Sequence, residues 1–338
     1  MIVEMRTGAS QEEVDAVIER ATSLGLDTQL NLGTDKKVIA LLGSNTGQLP
    51  IDVFAVLPGV EKVARIMKPY KLAAREFRWE DSLVSISGVE VGGQRIVVIA
   101  GPCAVESEEQ LMAAADAVKE AGASVLRGGA FKPRTSPFSF QGLEDRGLEL
   151  LAQARSRFGM PVVTEVVDPH DVDRVARYAD ILQVGARNMQ NFALLTEIGK
   201  SQSPVVLKRG LSATVTEWLT AADCILAEGN SRVILCERGI RTFEDSTRFS
   251  LDIGSIPVIK KSSHLPLIVD PSHAAGHYSL VPSMARAVVA AGADGLLIEV
   301  HPNPKEALVD GLQSLTPSAF CRLMQELKPI AEALGRSM

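Results

Sequence analysis

Cysteine is scarce in this chain: Cys103, Cys224, Cys236 and Cys321 are the only four, and none forms a C-x-x-C pair. A disulfide scaffold is excluded, and such sparse thiols favour a reducing compartment. No uncharged apolar run approaches the roughly 18 residues that cross a bilayer. Glu4 and Arg6 interrupt the N-terminus before an apolar signal core can form. The expected location is therefore cytoplasmic, with no membrane partner. An excess of positive charge is also missing, since 35 Lys and Arg stand against 41 Asp and Glu, a net charge of −6. Nucleic acid and anionic lipid are not generally attracted to such a surface, so any anion must be bound locally.

What is present is ordinary globular material, 46% hydrophobic and 22% charged, in 338 residues. That composition disfavours disorder, and the length suits two unequal domains. The first stretch reads as βαββαβ. MIVEMR and VEKVARIM are its outer strands, DTQLNL and KKVIALLG pair around a Gly33, Thr34, Asp35 turn, and PIDVFAVLPG is a short helix. Its first helix opens at Ser10 with Glu13 three residues on, a capping-box spacing. A ferredoxin-like layer of helices on a sheet is expected over residues 1–66. It lacks histidine and any catalytic cluster, so its role is packing or regulation. Residues 67–94 read as a charged linker and a short hairpin, LVSISGVEVGG.

From residue 95 to 338, Val/Ile/Leu-rich runs alternate with helical stretches, the pattern of parallel strands buried on both faces. Eight runs occur: RIVVIAGPC, ASVLRGGA, PVVTEVV, DILQVGARN, PVVLKRG, RVILCERG, PLIVDPSH and DGLLIEVH. The predicted fold class is α/β, a (β/α)8 TIM barrel preceded by the small ferredoxin-like domain. An open doubly wound sheet is the alternative, but the glycines at 128 and 129 lack the G-x-G-x-x-G spacing of a dinucleotide site.

Nearly every run ends on a polar residue, and the C-terminal strand ends of such barrels build the active site. The ends are Cys103; Arg127, with Lys132 and Arg134 in the following loop; Glu165; Arg187; Lys208 and Arg209; Glu237 and Arg238; Asp270 and His273; Glu299 and His301. One grouping is cationic, namely Arg127, Lys132, Arg134, Arg187, Lys208 and Arg238. Their convergence in an acidic protein calls for a ligand bearing phosphate and carboxylate, because unpaired cations in a low-dielectric site repel one another. A second grouping, Cys103, His273, Glu299 and Asp310, offers sulfur, nitrogen and two carboxylates. That mixture suits one divalent metal ion of the Mn, Fe, Co or Zn class.

The segments GPCAVES (101–107), LRGGAFKPRTSPFSFQG (126–142), QVGARNMQNF (183–192), VVLKRG (205–210), LCERGIRTF (235–243), VDPSHAAG (269–276) and IEVHPNPKEALVDGLQS (298–314) carry a resemblance. They resemble 3-deoxy-D-arabino-heptulosonate 7-phosphate (DAHP) synthases of the short bacterial and archaeal type, over the whole barrel. The N-terminal unit resembles the regulatory domain of the same type. The resemblance implies a transferase that condenses phosphoenolpyruvate with erythrose 4-phosphate, releasing phosphate, as the first step of the shikimate pathway. It further implies that Arg127, Lys132, Arg187, Lys208 and Arg238 hold phosphoenolpyruvate and that Arg134, Thr135 and Ser136 hold erythrose 4-phosphate. Cys103, His273, Glu299 and Asp310 would hold the metal, and Lys132, Glu165 and Asp270 are candidates for moving protons or orienting water. An aromatic amino acid, tyrosine or phenylalanine, would inhibit through the N-terminal domain, and a homotetramer is expected.

GPCAVES and GARN are shared with 3-deoxy-D-manno-octulosonate 8-phosphate synthases, which use arabinose 5-phosphate. The KPRTS loop at 132–136 discriminates, because those enzymes read more like K-A-N-R-S-S and generally lack the small domain. Ala274 and Ala275 depart from a Ser-Gly common in the group. Two further alternatives are a catalytically silent sensor of phosphorylated metabolites and a general metal-dependent aldolase. The sensor predicts a lost metal ligand or a lost Lys132, and all are present.

Overall fold

Residues 1–33, 36–43, 46–66, 68–132 and 138–338 are described in a computed structural model of the chain. They form two compact units, Met1–Asp81 with Lys261–His264, and Ser82–Lys260 with Leu265–Met338.

In the first unit β1 (Ile2–Met5), α1 (Gln11–Ser23), β2 (Asp27–Leu32), β3 (Lys37–Leu42), α2 (Asp52–Ala55) and β4 (Val60–Ala64) follow one another. The strands make one antiparallel sheet in the order β2-β3-β1-β4. Ser10 and Glu13 close a reciprocal capping box that fixes where α1 begins. Val14, Val17 and Ala21, spaced to share one helical face, are fully buried against Ile39, Leu41 and Phe54. Each buried valine contributes about 1.5–3 kcal/mol. Thr34 and Asp35 of the expected turn lie outside the described residues.

The second unit starts with a hairpin, β5 (Val84–Ile86) and β6 (Val89–Val91). The strands that follow are β7 (Val97–Gly101), β8 (Val125–Arg127), β9 (Val162–Glu165), β10 (Ile181–Val184), β11 (Val205–Lys208), β12 (Val233–Glu237), β13 (Leu267–Val269) and β14 (Gly295–Glu299). All eight are parallel to their neighbours and close into a barrel, β14 pairing with β7. Helices alternate with them: α3 (Glu108–Glu120), α4 (Glu144–Phe158), α5 (Val172–Ala176), α6 (Phe192–Lys200), α7 (Val215–Ala227), α8 (Ser255–Ser262), α9 (Pro271–Ala275) and α10 (Val281–Ala290), then α11 (Pro317–Ala333).

Strand alternation places the site. Val97, Ile99, Val125, Val163, Ile181, Val206, Ile234, Cys236, Ile268 and Leu297 fill the barrel, and Val84, Ile86 and Val91 of the hairpin join the same cluster. Side chains two residues apart share a strand face. Two residues beyond Val125, Val163, Ile181, Val206, Cys236, Ile268 and Leu297 stand Arg127, Glu165, Gln183, Lys208, Arg238, Asp270 and Glu299. The same rule corrects the reading of Arg209 and Glu237 as part of the catalytic face. Both have the opposite parity, pair with each other at 2.9 Å, and Arg209 lies over the Trp218 ring of α7.

Candidate active site

A cavity of about 280 Å³ opens at the C-terminal strand ends, lined by Arg127, Lys132, Glu165, Arg187, Lys208, Arg238, Arg248, His273 and Asp310 among others. Gly101 ends β7 at φ 147°, where an added Cβ would stand 2.3 Å from the Arg127 carbonyl oxygen. The close approach of the two strands requires glycine there.

The sulfur, nitrogen and carboxylate group assembles. Donor atoms of Cys103, His273, Glu299 and Asp310 all lie within 4.8 Å of one another. Cys103 Sγ is 3.4 Å from Asp310 Oδ2, and His273 Nε2 is 3.4 Å from Glu299 Oε1 and 3.8 Å from Asp310 Oδ2. Asp270 fixes the imidazole: its Oδ2 accepts from His273 Nδ1 at 2.6 Å and its Oδ1 from the His273 backbone N–H at 2.9 Å. The Nε2 lone pair therefore faces the carboxylates. Burial lowers the His273 pKa, keeping the ring in the neutral form that binds a cation. Burial and the neighbouring Glu299 push the Cys103 thiol up to about 12, so metal binding there displaces a proton. Two carboxylates, a thiol and a neutral imidazole around one point fit a divalent metal ion.

The cationic group assembles as well, but the expectation that its members are unpaired is corrected in part. Arg127 donates to Glu299 Oε1 at 2.9 Å, and Lys208 donates to Asp270 Oδ2 at 2.6 Å. Both pairs are almost wholly buried; against the opposing effect of burial, His273 first, and then Lys208 at Asp270 and Arg127 at Glu299, hold the carboxylates below the ordinary range. Lys132 Nζ donates to the Cys103 carbonyl at 2.8 Å and to its sulfur at 3.1 Å. Burial works against the Lys132 charge, but Cys103, Glu165 and Glu299 hold its pKa above the usual lysine value. Arg238 is buried, its guanidinium 4.1 Å from the Phe249 ring centroid, and its Nη1 has no hydrogen-bond partner among the described residues. Arg187 reaches the cavity exposed. Glu165 faces the cavity with Gln183 Nε2 donating to it at 3.2 Å. Arg134, Thr135 and Ser136 lie outside the described residues.

Residues 79–334 match the DAHP synthetase I family, and residues 1–68 match the DAHP synthase ferredoxin-like domain. The chain belongs to the DAHP synthetase I family. One relative, the phospho-2-dehydro-3-deoxyheptonate aldolase of Thermotoga maritima, is 48% identical over 99% of each chain. Its crystal structure superposes with a TM-score of 0.80, covering 99% of this chain and 98% of that one. A 2-dehydro-3-deoxyphosphooctonate aldolase of Desulfatibacillum aliphaticivorans is 34% identical over 71% of this chain and 94% of its own. No helix among the described residues is long and apolar enough to cross a membrane.

In this family member the structure adds residues that strand-end reasoning missed. Gln313 Nε2 donates to Glu299 Oε2 at 2.6 Å, and Arg248 Nη1 donates to Gln313 Oε1 at 2.7 Å and to Asp310 Oδ1 at 3.2 Å. The two carboxylate donors thus share one hydrogen-bond network. Arg248 comes from the long segment between β12 and α8, where no apolar run flags it. Gln183 was legible, being two residues past Ile181 on the inward face.

Proposed function

We propose that the chain is a DAHP synthase: phosphoenolpyruvate, D-erythrose 4-phosphate and water give 3-deoxy-D-arabino-heptulosonate 7-phosphate and inorganic phosphate. The observation that carries the reading is the meeting, in one cavity, of a four-donor metal cluster and an anion site. In that anion site Arg238 Nη1 is buried without a hydrogen-bond partner among the described residues and Arg187 stands open.

Arg187 and Arg238 supply the unengaged charge for the phosphoenolpyruvate phosphate and carboxylate, with Lys132, Lys208 and Arg127 completing the cradle. Arg134, Thr135 and Ser136 hold the erythrose phosphate. Clamping each substrate by its anionic end turns an encounter of two like-charged molecules into an oriented step. C3 of phosphoenolpyruvate attacks the aldehyde carbon, and Lys132 Nζ, beside Cys103, delivers a proton to the new alkoxide. Cys103, His273, Glu299 and Asp310 would hold the metal ion, which when bound supplies Lewis-acid polarisation of the aldehyde oxygen. Positive charge develops at C2, water adds there, and the C2–O bond to phosphate breaks as the hemiketal collapses to a ketone. Glu165 lines the cavity and is the carboxylate placed to orient that water. Asp270 is fully buried, with both oxygens engaged by His273 and Lys208, so its part is to position His273 rather than to handle water.

The small unit, matching the DAHP synthase ferredoxin-like domain, is a feedback module for tyrosine or phenylalanine, and the working assembly is a homotetramer. Four free cysteines fit a cytoplasmic setting. The test measures phosphoenolpyruvate loss by metal-stripped protein, with and without Mn²⁺, offering erythrose 4-phosphate or arabinose 5-phosphate. Metal-dependent loss with the four-carbon sugar alone supports the reading. Loss only with the five-carbon sugar makes this an octulosonate 8-phosphate synthase, and loss with neither leaves a sensor.

A further inference from the structure

Asp310 reaches the donor cluster from the loop after β14, and its backbone is strained there. It stands at φ 53°, in the left-handed region, which a non-glycine residue keeps only where its surroundings enforce it. The next residue is glycine because a Cβ at Gly311 would meet the Pro304 carbonyl oxygen at 2.2 Å. Besides Arg248, which donates to Asp310 and Gln313, two contacts tie this loop to the loop after β7. Val309 is buried against Cys103 and Ala104. Glu106, three residues past Cys103 in the loop after β7, accepts the Leu308 backbone N–H at Oε1, 3.0 Å, and meets His301 Nε2 at Oε2, 3.3 Å. His301 Nδ1 accepts the Asn303 N–H at 3.0 Å, so the ring proton is on Nε2 and the imidazole donates to Glu106. Gln110 Oε1 in turn accepts the Glu106 N–H at 3.3 Å, while Gln110 Nε2 donates to the Ala104 carbonyl at 3.2 Å. The Glu106 and His301 side chains are only 9% and 6% exposed, and neither lines the catalytic cavity.

We propose that Glu106 is a positioning residue for the donor cluster. Through Leu308 and His301 it clamps the loop bearing Asp310 to the loop bearing Cys103, fixing two donors that are 207 positions apart in sequence. Without the clamp, more of the ordering of the Asp310 loop falls to the metal ion, and that ordering entropy is subtracted from its affinity. Outer-shell partners of metal ligands characteristically change affinity by roughly 10- to 100-fold. The inference rests on the metal reading of the cluster given above, and the test separates the two.

Metal-stripped full-length chain is titrated with Co²⁺, following the thiolate-to-cobalt absorption of Cys103, which reports occupancy without turnover. Glu106→Ala should weaken Co²⁺ binding by roughly 10- to 100-fold and speed hydrogen exchange at the Leu308 amide in the metal-free form. Its unfolding midpoint without metal should fall modestly, since His301 and Leu308 each lose an acceptor, with a loss of metal affinity beyond what that fall accounts for. Glu106→Gln keeps an acceptor for Leu308 but turns an amide N–H toward the His301 donor, so its affinity should fall between Ala and the parent. If Glu106→Ala does not fold, Glu106→Gln and His301→Asn carry the same comparison. A parent protein with no thiolate band defeats the metal reading itself. A parent that binds, with variants binding within twofold of it, leaves that reading intact and overturns the clamp, as does a lowered unfolding midpoint with unchanged affinity.

Discussion

Replacing Asp270 with Asn leaves Lys208 as a buried ammonium without its anion. Asp270 is fully buried, and Lys208 Nζ sits 2.6 Å from its Oδ2. Removing one member of such a pair costs about 3–5 kcal/mol, because the remaining charge stays desolvated. Asn also cannot serve all three donors. Its one oxygen can replace Oδ2 toward Lys208 and the His273 ring, which turns the amide group onto the His273 N–H and removes the N-cap bond of α9. The cap adds about 1 kcal/mol. Taking out the orphaned charge in Asp270→Asn/Lys208→Met should restore most of the loss, giving a coupling of about 2–4 kcal/mol. The assay is guanidinium unfolding of metal-free protein in a Trp79→Phe background. Trp218, buried on α7 with Nε1 donating to the Leu207 carbonyl at 3.1 Å, then reports on the barrel unit alone.

The pH dependence has a definite sign. The folded Asp270 pKa lies well below the ordinary value despite burial, held down by His273 and Lys208. The stabilisation is therefore complete above the unfolded pKa near 4, and the gap between parent and Asp270→Asn closes only as pH falls below that toward the depressed folded value. A loss under about 1 kcal/mol at neutral pH, or a double variant less stable than the single one, would refute the account.

Lys132→Met should leave the fold unchanged and cut kcat by about 10²- to 10³-fold, as expected for loss of one charge-stabilising donor; near-parental turnover removes Lys132 from the proton step. Arg187→Ala should raise the phosphoenolpyruvate KM by roughly 10- to 100-fold, the equivalent of one charged hydrogen bond, and a KM unchanged in steady-state kinetics would place the phosphate elsewhere. His264, in the first unit, is buried with Nε2 donating to the Leu72 carbonyl at 2.7 Å, and burial lowers its pKa from 6.5 to about 4. The unfolded chain binds that proton first, so stability is whole above pH 6.5 and declines by up to about 3 kcal/mol on acidification toward pH 4. His264→Gln should flatten that part of the stability profile, and an unchanged slope from urea unfolding across the range would contradict the assignment. Removing residues 1–66 should abolish inhibition by tyrosine or phenylalanine while activity persists; inhibition that survives in initial-rate assays would move the effector site into the barrel.

Period and punctuation determined much of this protein in advance. Eight apolar runs separated by helical stretches already favour a barrel over an open sheet, and Ser10 with Glu13 already marks the start of α1. The polar residues closing those runs were legible as a site because burying charge at strand ends gains nothing for packing. Alternation, applied strictly, also separates Lys208 from Arg209 and Arg238 from Glu237, since a period of two sends neighbours to opposite faces. What the tertiary structure alone decided is pairing. Charges carried by β8 and β14, or by β11 and the end of β13, meet across 172 and 62 positions of sequence, and no local pattern encodes which cation neutralises which carboxylate. The same holds for Arg248, Gln313 and Glu106, which come from segments without periodicity, and for His301, which closes the eighth run but pairs with Glu106 instead of lining the cavity. Their partners depend on where closure of the barrel brings each loop, and hydrogen bonding, unlike burial, is satisfied by position in space and not by order along the chain.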